Sequence, residues 1–130
     1  MGFQINAGTR AEALAEGGLV DASELAKEAG FRIPLALTAE AWRDCVAWPA
    51  DVAGQDETGR LWDVVYMASR AAVANKGSDD PVAEYQIYRV KTGEQSPTLV
   101  DLVLLIGPGD EGEPVCTIYT RAEVEAQDAF

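Results

Sequence analysis

The run Thr98-Leu99-Val100-Asp101-Leu102-Val103-Leu104-Leu105-Ile106, followed after a turn by Val115-Cys116-Thr117-Ile118-Tyr119, decides the fold class of this chain. Both pieces are rich in apolar and β-branched residues. Gly107-Pro108-Gly109-Asp110-Glu111-Gly112-Glu113-Pro114 between them is turn chemistry, so they read as neighbouring antiparallel strands. Upstream, Tyr85, Ile87 and Arg89 alternate with Gln86, Tyr88 and Val90, a period of two, and Thr92-Gly93-Glu94-Gln95-Ser96-Pro97 turns the chain back. The expectation is a three-stranded antiparallel meander with 98–106 as its central strand.

Outward from that sheet the period becomes helical. Leu61, Val64, Val65, Ala68 and Ala72 form one stripe over residues 59–75, flanked by Trp62 and Tyr66, and Asn75-Lys76-Gly77 closes it. Thr38-Ala39-Glu40-Ala41 caps another helix, on which Trp42, Cys45 and Val46 share a face and which ends at Pro49. Thr9-Arg10-Ala11-Glu12 is a capping box opening a short helix over 9–16, Ser23 is placed to cap a second that ends at Gly30, and Thr120 caps a short terminal helix. The segment 31–37 contains Pro34, which has no ladder donor, and therefore reads as an edge strand or an extended connection. The whole is expected to be α+β and a single domain over 1–130, with short N-terminal helices and one longer helix packed on a small three-stranded antiparallel sheet.

At 130 residues and 48% hydrophobic composition the chain has the size and core material of one domain. Asp and Glu number 22 against 10 Lys and Arg, a net charge of -12, and direct binding of nucleic acid is excluded because phosphate neutralisation needs a basic face. With no histidine, Ser-His-Asp and Cys-His nucleophiles and imidazole metal sites are absent, so no catalytic residue, metal or cofactor is expected. Cys45 and Cys116 read as buried free thiols in a reducing compartment. The acidic turn 107–113 lacks the Gly-Lys-Ser/Thr ending of a phosphate loop and the ligand pattern of a calcium loop. The opening MGFQINAGTR has no leader pattern, and the apolar run 102–106 is far too short to span a bilayer, which implies a cytoplasmic protein away from membranes.

The acidic excess adds self-repulsion without adding core. Carboxylates projecting from loops can imitate duplex phosphates and occupy a basic channel on another protein; the candidates are Asp56, Glu57, Asp79, Asp80, Asp110, Glu111 and Glu113. Trp48, at a helix end before a proline, is the candidate aromatic anchor, whereas Trp42 and Trp62 read as core. Asp63 and Asp101 have the most apolar neighbours among the carboxylates and are the nominees for an alternative, a small carboxylate-dependent enzyme.

Four strings, taken together, carry a resemblance: 9–12 with 18–21, then 26–32, then 55–64, and finally 107–114. The chain resembles, over roughly 9–119, an uncharacterised family of small acidic proteins coded by bacterial plasmids and phages. At class level it is similar to anti-CRISPR and anti-restriction proteins. The likeness implies a stoichiometric inhibitor of a host nucleic-acid defence complex, with a type I CRISPR surveillance complex as the preferred partner. A plasmid-maintenance adaptor is the remaining alternative.

Overall fold

The computed structural model describes residues 8–128; the first seven residues of the opening segment read above for a leader lie outside them. The chain order is α1 (Arg10–Glu16), β1 (Leu19–Asp21), α2 (Ser23–Glu28), β2 (Leu35–Thr38), α3 (Ala39–Cys45), α4 (Glu57–Ala74), β3 (Val82–Arg89), β4 (Thr98–Pro108), β5 (Pro114–Thr120) and α5 (Arg121–Asp128). The strands form one sheet in the order β1-β2-β5-β4-β3.

The α+β class stands, but the three-stranded antiparallel sheet is corrected to a mixed sheet of five. β3, β4 and β5 pair antiparallel in the expected meander, and β2 then adds to β5 in parallel, with Leu35 opposite Cys116 and Leu37 opposite Ile118. β5, rather than β4, is therefore central. Pro34 misled the reading because it stands just before the strand. Its missing N–H costs no ladder bond, while its carbonyl accepts the Cys116 amide at 2.8 Å. Every residue of β2 is buried, as an interior strand requires.

Two layers of helix cover the sheet. On one face Leu35, Leu37, Leu102, Leu104, Cys116 and Ile118 pack under Val64, Val65 and Ala68 of α4, with Ala41 and Cys45 of α3 and Ala26 of α2. On the other, Ala13 of α1 covers Leu19 and Ala36, and Val124 of α5 covers Val103 and Tyr119. That second face is only partly roofed, which leaves Tyr88 at 68% and Leu99 at 44% exposure.

Three of the four predicted caps form. Thr9 and Glu12 make the complete capping box, and α1 stops at Gly17, whose φ of 86° is the left-handed conformation glycine adopts without strain. Thr38 Oγ1 accepts the Ala41 amide, and Thr120 and Glu123 exchange hydrogen bonds at the start of α5. Ser23 does not cap α2. Its hydroxyl donates to Asp21 and accepts the Leu35 amide, joining β1 to β2 instead. Among the described residues no helix is long and apolar enough to cross a membrane.

Candidate functional site

The candidate residues fall into two groups, set apart by the length of α4. Its 18 residues span about 27 Å. Asp56, Glu57 and Trp48 gather at its N-terminal end, beside the Arg89 end of the sheet, because an Arg60 amine of α4 donates to the Val90 carbonyl. Asp79 and Asp80 follow its C-terminal end, next to the start of β3, where Val82 pairs with Leu105 near the exit of β4 toward the 109–113 turn. The structure thus brings Asp79, Asp80, Asp110, Glu111 and Glu113 to one end of the sheet and leaves the other three at the opposite end.

Several of these groups are engaged within the chain. Asp56 is the N-cap of α4, its Oδ1 accepting the Gly59 amide at 2.7 Å, and Glu57 accepts the Trp48 amide at 3.1 Å. Trp48 is half-buried: its indole donates to the Val52 carbonyl at 2.8 Å, and the Arg60 guanidinium lies 5.0 Å from the ring centroid. It latches the 46–56 loop. Asp80 accepts the Val82 amide, and Glu113 accepts the Glu111 amide. The carboxylates of Asp79 and Glu111 are exposed at this end and carry no such local bond.

Asp110 has the most specific local role. Its two oxygens accept the Arg10 amide at 2.7 Å and the Ala11 amide at 2.9 Å, so the β4–β5 turn grips the first turn of α1. Those backbone bonds hold its carboxyl below the usual range. The contribution is therefore complete above the ordinary aspartate pKa and disappears as pH falls through the lower folded value. In hydrogen exchange, protection at Arg10 and Ala11 is expected to survive acidification to about pH 4 and to collapse below it, and in Asp110→Asn to be weakened at all pH. Equal protection in the variant at neutral pH would remove this role.

A second cluster was not singled out from sequence: a buried arginine pair. Arg60 and Arg89 are 4% and 5% exposed, on adjoining elements α4 and β3. Arg60 donates to the Val46 carbonyl at 3.0 Å, to Gln55 at 2.7 Å and to the Val90 carbonyl at 3.2 Å; burial, and then the neighbouring Arg89 charge, lower its pKa. Arg89 reaches the Arg60 carbonyl at 3.3 Å and Asp63 at 3.5 Å, and its Nε has no partner. The only signal in the sequence was an Arg in the inward-facing phase of β3, in register with Tyr85 and Ile87.

Of the acid–base nominees, Asp63 is 64% exposed beside Arg89, and Asp101 accepts from Gln86 at 2.5 Å. Asp101 lines an open depression of about 360 Å³ with Glu84, Tyr85, Gln86, Leu102 and Arg121. Arg121 is ion-paired with Glu84 there. The reach of Glu123 to Thr38, beyond its place in the cap of α5, has no signal in the sequence. Half-buried, Glu123 accepts from Thr38 at 2.5 Å and from the Thr120 amide at 2.8 Å, and burial raises its pKa. Burial lifts both thiols, Cys45 and Cys116, to about 11, so they stay protonated at neutral pH. Among the described residues no group of three His, Cys, Asp or Glu could hold a metal ion. Trp62 stacks on Tyr66 with ring centroids 5.9 Å apart, on the outer side of α4.

A family model described as "Family of unknown function (DUF6573)" matches residues 4–123. No curated protein and no solved structure matches the chain.

Proposed function

The chain belongs to that family of unknown function, and from its charge layout we propose that it is an acidic, stoichiometric inhibitor that occupies the basic DNA channel of a host nucleic-acid defence complex in the cytoplasm. A type I CRISPR surveillance complex is the preferred partner. One observation carries the reading, the unequal exposure of the two signs of charge. Every described carboxylate whose burial is resolved is exposed except those of Glu40 and Glu123, which are half-exposed. Among the cations, Arg60 and Arg89 are buried, and Arg10 and Arg121 are half-buried and bonded internally. The fold thus withdraws four of the ten cations, leaves Lys27, Arg32, Arg43, Arg70, Lys76 and Lys91 exposed, and keeps nearly all the acids out, a surface with an acidic excess that a partner rich in Lys and Arg would meet.

The contact end is that of Asp79, Asp80, Glu111 and Glu113; Asp56 and Asp110 act chiefly as helix caps, and Trp48 as a loop latch. The test is a gel-shift titration of a purified type I surveillance complex on its target DNA, at low and moderate salt. Loss of DNA binding at near-equimolar protein, relieved by salt, is expected. Asp79→Lys with Glu111→Lys should slow association about tenfold at low salt and leave the fold intact. Unchanged DNA binding at excess protein would overturn the reading for that complex.

A further inference from the structure

We propose that β3 is a docking edge for a second copy of this chain, two β3 strands pairing antiparallel about a two-fold axis at Gln86 so that two five-stranded sheets become one. In the ladder to β4 the Ile106 amide donates to the Pro81 carbonyl at 3.0 Å, which makes position 81 a hydrogen-bonded one. Strand alternation then turns the backbone groups of Ala83, Tyr85, Ile87 and Arg89 toward β4. Those of Val82, Glu84, Gln86 and Tyr88 point to the outer side. The Val82 amide bears this out, because Asp80 Oδ1 takes it at 3.0 Å from beyond the ladder. β3 stands last in the sheet order, so among the described residues no strand pairs with the N–H and C=O groups of Glu84, Gln86 and Tyr88.

An edge of this kind is usually guarded by a lysine, a proline, a bulge or shortness. β3 runs eight residues, VAEYQIYR, with none of these; its charges are Glu84, ion-paired with Arg121, and the inward Arg89 at its last position, beyond the 84–88 segment that would pair, and its register with β4 is unbroken.

The side chains favour a second copy over an unrelated strand. With the axis at Gln86, that amide faces the partner's Gln86, and Glu84 faces the partner's Tyr88. Amide meets amide, each Gln86 holding Asp101 with one N–H and leaving the other and its Oε1 for the partner, and phenol can donate to carboxylate. No like charges stand directly opposite. All three side chains lie on the partly unroofed face, where Tyr88 is 68% exposed with Leu99, its register partner on β4, at 44%. Pairing would cover Tyr88 with the partner's Glu84 and Arg121, a salt-bridged pair within each chain. The net charge of -12 on each copy opposes the approach, so added salt strengthens self-association. Binding to a basic partner responds to salt in the opposite sense, and the proposal is independent of that reading.

Sedimentation of the full chain at about 0.5 mM, in low and in moderate salt, tests it. A dimer fraction that rises with salt is the expected result. Gln86→Pro removes an outward donor and no backbone bond to β4, losing within the chain only the exposed side-chain bond to Asp101, so the monomer fold should persist while association weakens at least about tenfold. Tyr88→Glu, which sets a carboxylate opposite the partner's Glu84 at a position 68% exposed in the single chain, should weaken it similarly and serves if the proline variant fails to fold. A chain that stays monomeric at both salt concentrations would overturn the proposal, including the case where the edge serves a strand of another protein. So would a dimer indifferent to Tyr88→Glu.

Discussion

Replacing Arg60 by methionine is expected to lower the free energy of unfolding by about 3 kcal/mol, while the same replacement at Arg89 changes it by less than about 1 kcal/mol. The two side chains are equally buried, and the difference lies in their partners. Arg60 satisfies the carbonyls of Val46 and Val90 and the Gln55 amide oxygen, and it lies over Trp48. Its loss strands two carbonyls and frees the loop that carries Trp48. Arg89 brings an unpartnered Nε, a long contact to the Arg60 carbonyl and an ion pair to a carboxylate that is 64% exposed, where water screens the attraction. Removing it also relieves Arg60 of a like charge. Urea unfolding should show a reduced midpoint at unchanged slope for Arg60→Met and near-coincident curves for Arg89→Met. A large loss at Arg89 would mean that its charge is balanced by more than Asp63.

This pair illustrates how much of the site could be read in advance. Loop acids were legible as exposed, since nothing in 107–113 or 78–80 offers an apolar partner. Their engagement was not. Asp110 grips a helix about a hundred residues earlier in the chain, and no local pattern encodes that meeting. Separations of 29 and 85 residues likewise hide Arg60 near Arg89 and Glu123 near Thr38. Trp48 reads as an anchor because it precedes a proline, yet the chain turns back after Pro49 and brings the Val52 carbonyl to its indole. Capping boxes were legible for the opposite reason: Thr9 with Glu12, and Thr120 with Glu123, close within three residues.

The fold divides along the same line. Alternation identified β3, β4 and β5, and hairpin turns fixed their antiparallel order, because each pairing is local in sequence. The β2–β5 pairing joins residues 35–37 to 116–118, and parallel partners leave no turn signature. Hydrophobic strength alone then placed 98–106 at the centre. β4 instead pairs with β3 toward the edge, and Leu99 and Ile106 near its two ends are each 44% exposed. The four-residue run at 35–38, short and next to a proline, is buried on both faces, as is β5 beside it.

That reversal has a measurable consequence. Leu37→Ala is expected to cost about 3–4 kcal/mol, whereas Leu99→Ala should cost less than about 1 kcal/mol. Leu37 is fully buried, faces Ile118 across the parallel pair, and shares its core with α3 and α4, whose backbones cannot collapse into the space without breaking the ladder. The lost transfer energy and the residual cavity therefore add. Leu99 projects from the unroofed face beside Tyr88, and its truncation opens no cavity. If 98–106 were the central strand of a three-stranded sheet, with 31–37 as a connection, the order of the two effects would be inverted. Paired denaturation curves for the two variants decide between these sheets, because a strand at the centre cannot lose a leucine cheaply and a connection can.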